Sequence, residues 1–494
     1  MNERSKNVLP RILMLPVKLA LGFIGFIIVL VLLGLVAIGI ENLRGARAWE
    51  SAKRDHEAAG DPLGMDAIIP RPVPPESNFA ETPLLKPLLD YRQGEKQMSA
   101  NRAEAMEKLK ELNLGNAEGM TDRLPDGRFN LAGWQRYFAA GGAGTPADDV
   151  LAGLQKWDAE LAELETASRR PFARFDIHYK EGFSTLLPHL AQLKGLLRVF
   201  ELRSAALLAA GNTASALKDI ETSERIATSM DGEPLLISML VEYAGQTFVT
   251  RMAWQGLVDH RWNSAELERL QALFAGRSDP LRRYVSAIQG ERAFALAGID
   301  PETAKLAEVF SQIQNGQNGP QMEAVGRLVP RGWIRQNQVT IARFYDAVFR
   351  NPHTTANQVS LGASDDGIPK VINDRFWPYA ILARQLVGSV ANAEIKSFRM
   401  LAIDRMAVIA CALERYRMAN GAYPKTLDNL VPQFISALPA DPANGGSFAY
   451  QPQDEEWYQL ASAGPPATKI ERPGEKVEVA WAWPAPVASK QRLF

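Results

Sequence analysis

Cysteine is almost missing from this chain: Cys411 is the single one in 494 residues, so no intramolecular disulfide can form. Its setting, "AVIACALERY", is an apolar helical run with no histidine nearby. That reads as a small buried hydrophobe rather than a reactive thiolate, which would want a histidine or a cationic pocket. Histidine is also scarce and scattered, at His56, His178, His189, His260 and His353. The motifs HExxH, CxxC, GxSxG, Walker A and GxGxxG do not occur. His178 and His189, with Glu181 between them, match no recognised ligand spacing, and "DDG" at 365–367 lacks the later glutamate of an EF-hand loop. Neither sign of charge dominates: 55 Lys plus Arg face 56 Asp plus Glu, without a long like-charge run. This balance excludes a dedicated nucleic-acid binder, which carries a basic domain or stripe. The expectation is therefore no catalytic residue, no cofactor-binding residue and no metal site.

Apolar residues are plentiful. They make up 46% of the chain, ordinary for a globular protein, and the length suits two to four domains. Residues 19–40, "LALGFIGFIIVLVLLGLVAIGI", hold no charge. As a helix they would span roughly 33 Å, about the hydrocarbon thickness of a bilayer. "ARA" at 46–48 resembles a cleavage site, but the apolar run is longer than a signal peptide's and Arg44 intervenes, so an uncleaved anchor is expected. Arg4, Lys6, Arg11 and Lys18 precede the span, against Arg44 and Arg47 close behind it. The expected topology is N-terminus in and body out, periplasmic in a bacterium.

Residues 41–92 read as a juxtamembrane helix followed by a Pro-rich spacer. "PRPVPP" predicts extended polyproline-like chain, and the apolar "NFAETPLL" predicts that the spacer's end packs onto the body. From 93 to 394 apolar residues recur at three- and four-residue spacing, which predicts helical hairpins stacked as a solenoid or an irregular bundle. "DVLAGLQKWDAELAELETAS" reads as helix, Pro188 as a first-turn proline, Gly211–Asn212 as a helix stop, and Asn263 or Ser264 as an N-cap. "VPRGWIRQNQ" reads as a tight turn within an irregular stretch from 313 to 370.

The last part, 395–494, predicts one long helix on a small antiparallel sheet. Ile395, Phe398, Ala402, Met406, Ile409, Leu413 and Tyr416 form one apolar helical face, and Asn420–Gly421 stops it. Tyr423–Pro424 turns the chain, with the tyrosine rings of Tyr423 and Tyr450 expected to be buried and their hydroxyls wet. "LPADP" carries Pro439, Asp441 and Pro442, and three strand-like segments follow, "GGSFAYQP", "WYQLASAG" and "KVEVAWAWP". Trp481 and Trp483 in the last of these could form a recognition surface or cover one face of the sheet.

This order of residues resembles the head domain of type II secretion major pseudopilins over about 396–465, in Tyr416, Asn420, Gly421, Tyr423, Pro424, Pro439, Asp441 and Pro442 among others. The resemblance implies an α+β head. It departs from the family at two points. The glutamate that such proteins carry early in the mature membrane helix would fall at Ile27 or Leu30, and the calcium-loop region offers Glu471 and Glu475 but no aspartate. Polymerisation and a tight calcium site are therefore not expected. The whole chain also resembles bacterial membrane-anchored envelope proteins of no established activity, through its "PVPPESNFAETPLL" and "GEPLLISMLV" segments. The chain thus reads as mainly α: transmembrane helix, helical body, pilin-like α+β end. The leading function is a periplasm-facing interaction protein that sits in the membrane through residues 19–40 and meets envelope protein partners. A ligand-binding sensor ectodomain and an envelope-polymer hydrolase are the alternatives.

Overall fold

The computed structural model describes residues 9–91, 99–114, 123–124, 127–138, 144–302, 329–350, 370–386, 390–452, 457–463 and 481–483. By internal contacts the chain forms two units. The first comprises Met1–Gly64, Ala295–Asp346 and Ile368–Val387, and the second the remainder.

The first unit is built on α1 (Leu9–Ala58). Its apolar stretch is a helix long and apolar enough to cross a membrane, with every side chain from Leu21 to Ile40 exposed. Beyond Ile40 the same helix continues and one face becomes packed. Asn42, Gly45, Trp49 and His56 are separated by three, four and seven residues, the spacing of one helical face. They meet α11 (Arg331–Arg350), which runs in the same direction. Gly332 donates its N–H to Asn42 Oδ1 at 2.8 Å, Arg335 stacks on Trp49 at 6.0 Å, and Asp346 Oδ1 lies 3.3 Å from His56 Nε2. The "VPRGWIRQNQ" segment is thus the first turns of a helix, not a tight turn. Its glycine serves close approach: a Cβ on Gly332 would fall 2.1 Å from the Glu41 carbonyl oxygen. Buried Asn337 fixes the next layer. It donates to the Pro378 carbonyl at 2.7 Å and accepts from Leu382 N–H at the start of α13 (Ile381–Leu386), which follows the single turn α12 (Lys370–Asn373).

The second unit is mainly helical. The end of the Pro-rich segment is core: Phe79, Leu84, Leu85, Leu88 and Leu89 are buried, and Asn78 holds the turn by accepting from Arg174 N–H at 2.8 Å. Helices α2 (Ala100–Leu112) and α4 (Pro146–Leu154) pack on α6 (Pro188–Ala209), α3 (Leu131–Tyr137) packs on α4, and α5 (Asp158–Ala167) lies between α4 and α6 in the chain. The α4–α5 stretch is not one helix. A 3-10 turn at Gln155–Trp157 breaks it and buries Trp157. Short corners then link α6 to α7 (Thr213–Thr228), α8 (Leu236–Val258), α9 (Ser264–Ala275) and α10 (Pro280–Gly298). Gly211 takes φ +79, while Asn212 acts on the other side of the corner, capping α7 through Ser215 N–H. Asn263 caps α9 in a box with Glu266.

The long helix α14 (Val390–Asn420) packs on α8 and α9 with one side and on the sheet with another. The apolar face from Ile395 to Leu413 is buried as expected, but Ala407, Ala410, Cys411 and Ala412 are buried too. Their small side chains let neighbours approach on the remaining sides, so the middle of this helix has no solvent face. The sheet, β1 (Ala449–Pro452), β2 (Tyr458–Ser462) and β3 (Trp481–Trp483), is antiparallel with order β1-β2-β3. Tyr458, Leu460 and Ser462 alternate inward. A single apolar core runs from Phe79 to Leu460.

Replacing Gly332 by alanine forces two helix backbones apart and is expected to destabilise the first unit by about 1–3 kcal/mol. Thermal denaturation of detergent-solubilised protein checks this, with Gly64→Ala, which meets no atom within 4 Å, unchanged beside it.

Candidate functional site

The residues at the α9–α10 corner, "GRSDP", combine a cation, a helix cap and a first-turn proline. Asp279 accepts from Leu281 N–H at 3.0 Å, and Pro280 opens α10 without needing a donor. Arg277 points inward and is almost fully buried. It donates to both oxygens of Glu224 on α7 at 3.0 and 2.7 Å, to Thr250 Oγ1 and the Gln246 carbonyl on α8 at 3.1 and 3.2 Å, and to Asp404 Oδ1 on α14. Burial opposes its charge, but the two acids outweigh that and raise its pKa.

Two carboxylates share one guanidinium, and Asp404 carries the strain of that ratio. Burial, countered by Arg277 and reinforced by Glu224, pushes its pKa up to about 6. Its Oδ2 is buried and has no hydrogen-bond partner among the described residues. That side chain lines a cleft of about 690 Å³ between the α9–α10 corner, α14 and the 435–445 loop. Phe274, Leu401, Val408 and Ile435 supply apolar wall, while Ser278, Arg405 and Ser436 supply polar edge.

The loop wall is held by the proline-flanked aspartate. Asp441 Oδ1 accepts from Ala443 N–H at 2.9 Å and Ser462 Oγ at 2.7 Å, and its Oδ2 accepts from Ala463 N–H at 2.7 Å. Arg405 ties the loop to α14 through the Ala440 carbonyl at 2.6 Å. Pro439, Asp441 and Pro442 therefore come together at the cleft rim. Tyr416, Asn420, Gly421, Tyr423 and Pro424 gather at the far end of α14. Asn420 donates to the Tyr416 carbonyl at 2.9 Å, and Gly421 takes φ +82. Both tyrosines are half-buried and their hydroxyls bond within the protein: Tyr423 donates to Glu414 Oε2 at 2.6 Å and Tyr450 to the Pro424 carbonyl at 2.8 Å. The hydroxyl of each ring reaches a local acceptor, so neither needs solvent. Buried Glu414 also meets His260 Nδ1 at 2.9 Å and Arg417 at 2.7 Å. Burial alone would raise its pKa, but these hydrogen bonds prevail and lower it to about 2.

The other candidates do not converge. His178 stacks on Tyr91 and lies 3.3 Å from Glu181, whereas His189 is fully buried against Glu233 at 2.8 Å. In the first unit His56 stands between two acids, Asp61 Oδ2 at 3.5 Å from one ring nitrogen and Asp346 at 3.3 Å from the other. One ligand atom from each of His56, Asp61 and Asp346 lies within 4.8 Å of the others, close enough for the three to share one cation. Register sets Trp483 opposite Leu460 and Trp481 opposite Ser462; the side chains of both tryptophans, Glu471, Glu475 and 365–367 lie outside the described residues.

Sequence reasoning passed over Arg277, Glu224, Asp404 and Glu414, and named His260 only as one of the scattered histidines. One signal was available: Asp404 interrupts the apolar run "MLAIDRMAVIA", where a charge needs a partner. No protein-family model, no curated protein and no solved structure matches this chain.

Two stability predictions follow from the opposite shifts. A raised carboxyl pKa favours the folded state at low pH and loses that contribution as pH climbs through about 6. Asp404→Asn should therefore gain on the wild type above pH 6, by about 3 kcal/mol at most, with the gap closing below the ordinary aspartate range. For Glu414 the sign reverses: its contribution is full above the ordinary glutamate range and fades as pH falls towards about 2. Glu414→Gln should cost about 3–5 kcal/mol at pH 7 and progressively less in acid. Denaturant titrations across pH check both.

Proposed function

We propose that the chain is a membrane-anchored, non-catalytic interaction protein, facing the periplasm, whose second unit offers the α10–α14 cleft to an envelope protein partner. The observation that carries this reading is how the cleft's carboxylates are used. Asp279 caps a helix and Asp441 is saturated by three donors. Of the three acids, Asp279 is exposed at the rim, while Asp404 keeps one oxygen that is unpaired among the described residues and buried beside apolar wall. General acid and base hydrolysis of a polymer needs two available groups flanking the bond. One exposed acid, Asp279, beside apolar surface suits recognition instead, of a segment that presents a lysine or arginine next to an aliphatic side chain. The rim is built from the residues that resemble a pseudopilin head, which supports a partner in a secretion or pilus-like assembly. A small cationic ligand suits the same chemistry, in which case the body is a sensor ectodomain.

A photo-crosslinking residue in place of exposed Ser436 at the rim, compared with one at exposed Lys108 on α2, separates these readings in the native host. The expected result is a covalent adduct at position 436 alone, containing pilin-type or secretion-machinery subunits by mass spectrometry. Equal labelling at both positions, or no protein adduct at 436, would overturn the interaction reading.

A further inference from the structure

The most exposed large hydrophobic side chain among the described residues is Phe376, at 65%. It is not in the apolar span, yet it lies close to the span's end. Its ring packs edge-on against Tyr379 at 5.2 Å, and the Tyr379 hydroxyl donates to Glu41 Oε1 at 2.6 Å. Glu41 is the first charged residue after the uncharged run 19–40. The first turn of α11 meets the helix at the same height, through Gly332 and Asn42. These contacts tie Phe376 through Tyr379 to Glu41, where the uncharged run of α1 ends.

The surroundings have the composition of a membrane interface. Leu43 is exposed, and Trp333 is half-buried in the first turn of α11. The guanidiniums of Arg44 and Arg331 are 63% and 67% exposed, each sharing one ion pair, with Glu41 and Glu302. Tryptophan prefers headgroup depth, where its ring is shielded and its N–H stays wet, phenylalanine buries at the boundary between headgroups and acyl chains, and arginine attracts lipid phosphate. Phe376 would be an unfavourable choice for a water-facing turn, and its position beside an existing membrane contact gives it a natural cover. We propose that the rim of the first unit around Phe376, Trp333, Arg44 and Arg331 is a lipid-headgroup seat, resting on the bilayer that α1 crosses.

The lone native thiol makes the test simple. Cys411 is fully buried, and burial pushes its pKa up to about 12. A thiol-reactive nitroxide will therefore label an introduced cysteine and leave Cys411 alone. The full chain carrying Phe376→Cys is labelled and reconstituted into vesicles of phosphatidylethanolamine and phosphatidylglycerol. Collision rates with oxygen and with a water-soluble nickel chelate are then measured. Leu30→Cys, in the span, and Met418→Cys, exposed on the second unit, serve as references. The expected oxygen-to-nickel ratio at 376 lies between those references and at least threefold above that at 418. A ratio equal to that at 418 would overturn the seat. So would low access to both reagents, the mark of protein cover, or a water-like ratio at Leu30→Cys.

Discussion

The buried guanidinium of Arg277 is the constraint on which the second unit depends. One side chain satisfies acceptors on three helices, α7, α8 and α14. Removing a charge from water is expensive unless it is paired and fully hydrogen-bonded. That cost is offset here only when all three helices are in place, so the cation works as a coincidence lock. The excess acid in the cluster is the functional by-product. Arg277 satisfies one oxygen of Asp404 and leaves the other buried without a partner among the described residues.

A second lock lies farther along the same helix. Glu414 gathers His260 from the α8–α9 corner and Tyr423 from beyond the Gly421 stop. His260 reaches it from a left-handed backbone, φ 49, a conformation that costs a non-glycine residue energy and persists where other contacts fix it. Arg277 and Glu414 thus grip α14 at two points about ten residues apart in sequence. The sheet and the helical body share one continuous core across this helix.

Much of the architecture was legible because periodicity and turn chemistry are local. The exposed apolar run, the Pro188 and Asn263 helix starts, the Gly211 and Gly421 stops, and the antiparallel strands all follow from nearest neighbours in sequence. The misses share a different origin. Gly332 looked like a turn residue because only tertiary contact with Glu41 reveals that its missing Cβ is needed. Asp404 and Arg277 lie 127 positions apart, and spacing carries no information across that distance. The tyrosine hydroxyls find their acceptors through tertiary folding of the same segment, which composition does not encode.

The parallel pairing of α1 with α11 has a mechanical consequence. Its contacts, Gly45 with Gly332, Trp49 with Arg335 and His56 with Asp346, are strung along the helix axis. A tension applied along α1 would load all of them together in shear, instead of peeling them one after another. Shear geometry divides a force among bonds that must yield nearly at once. A weak set of individual contacts can then act as a stiff coupling between a helix long and apolar enough to cross a bilayer and the part of the fold packed on its extension.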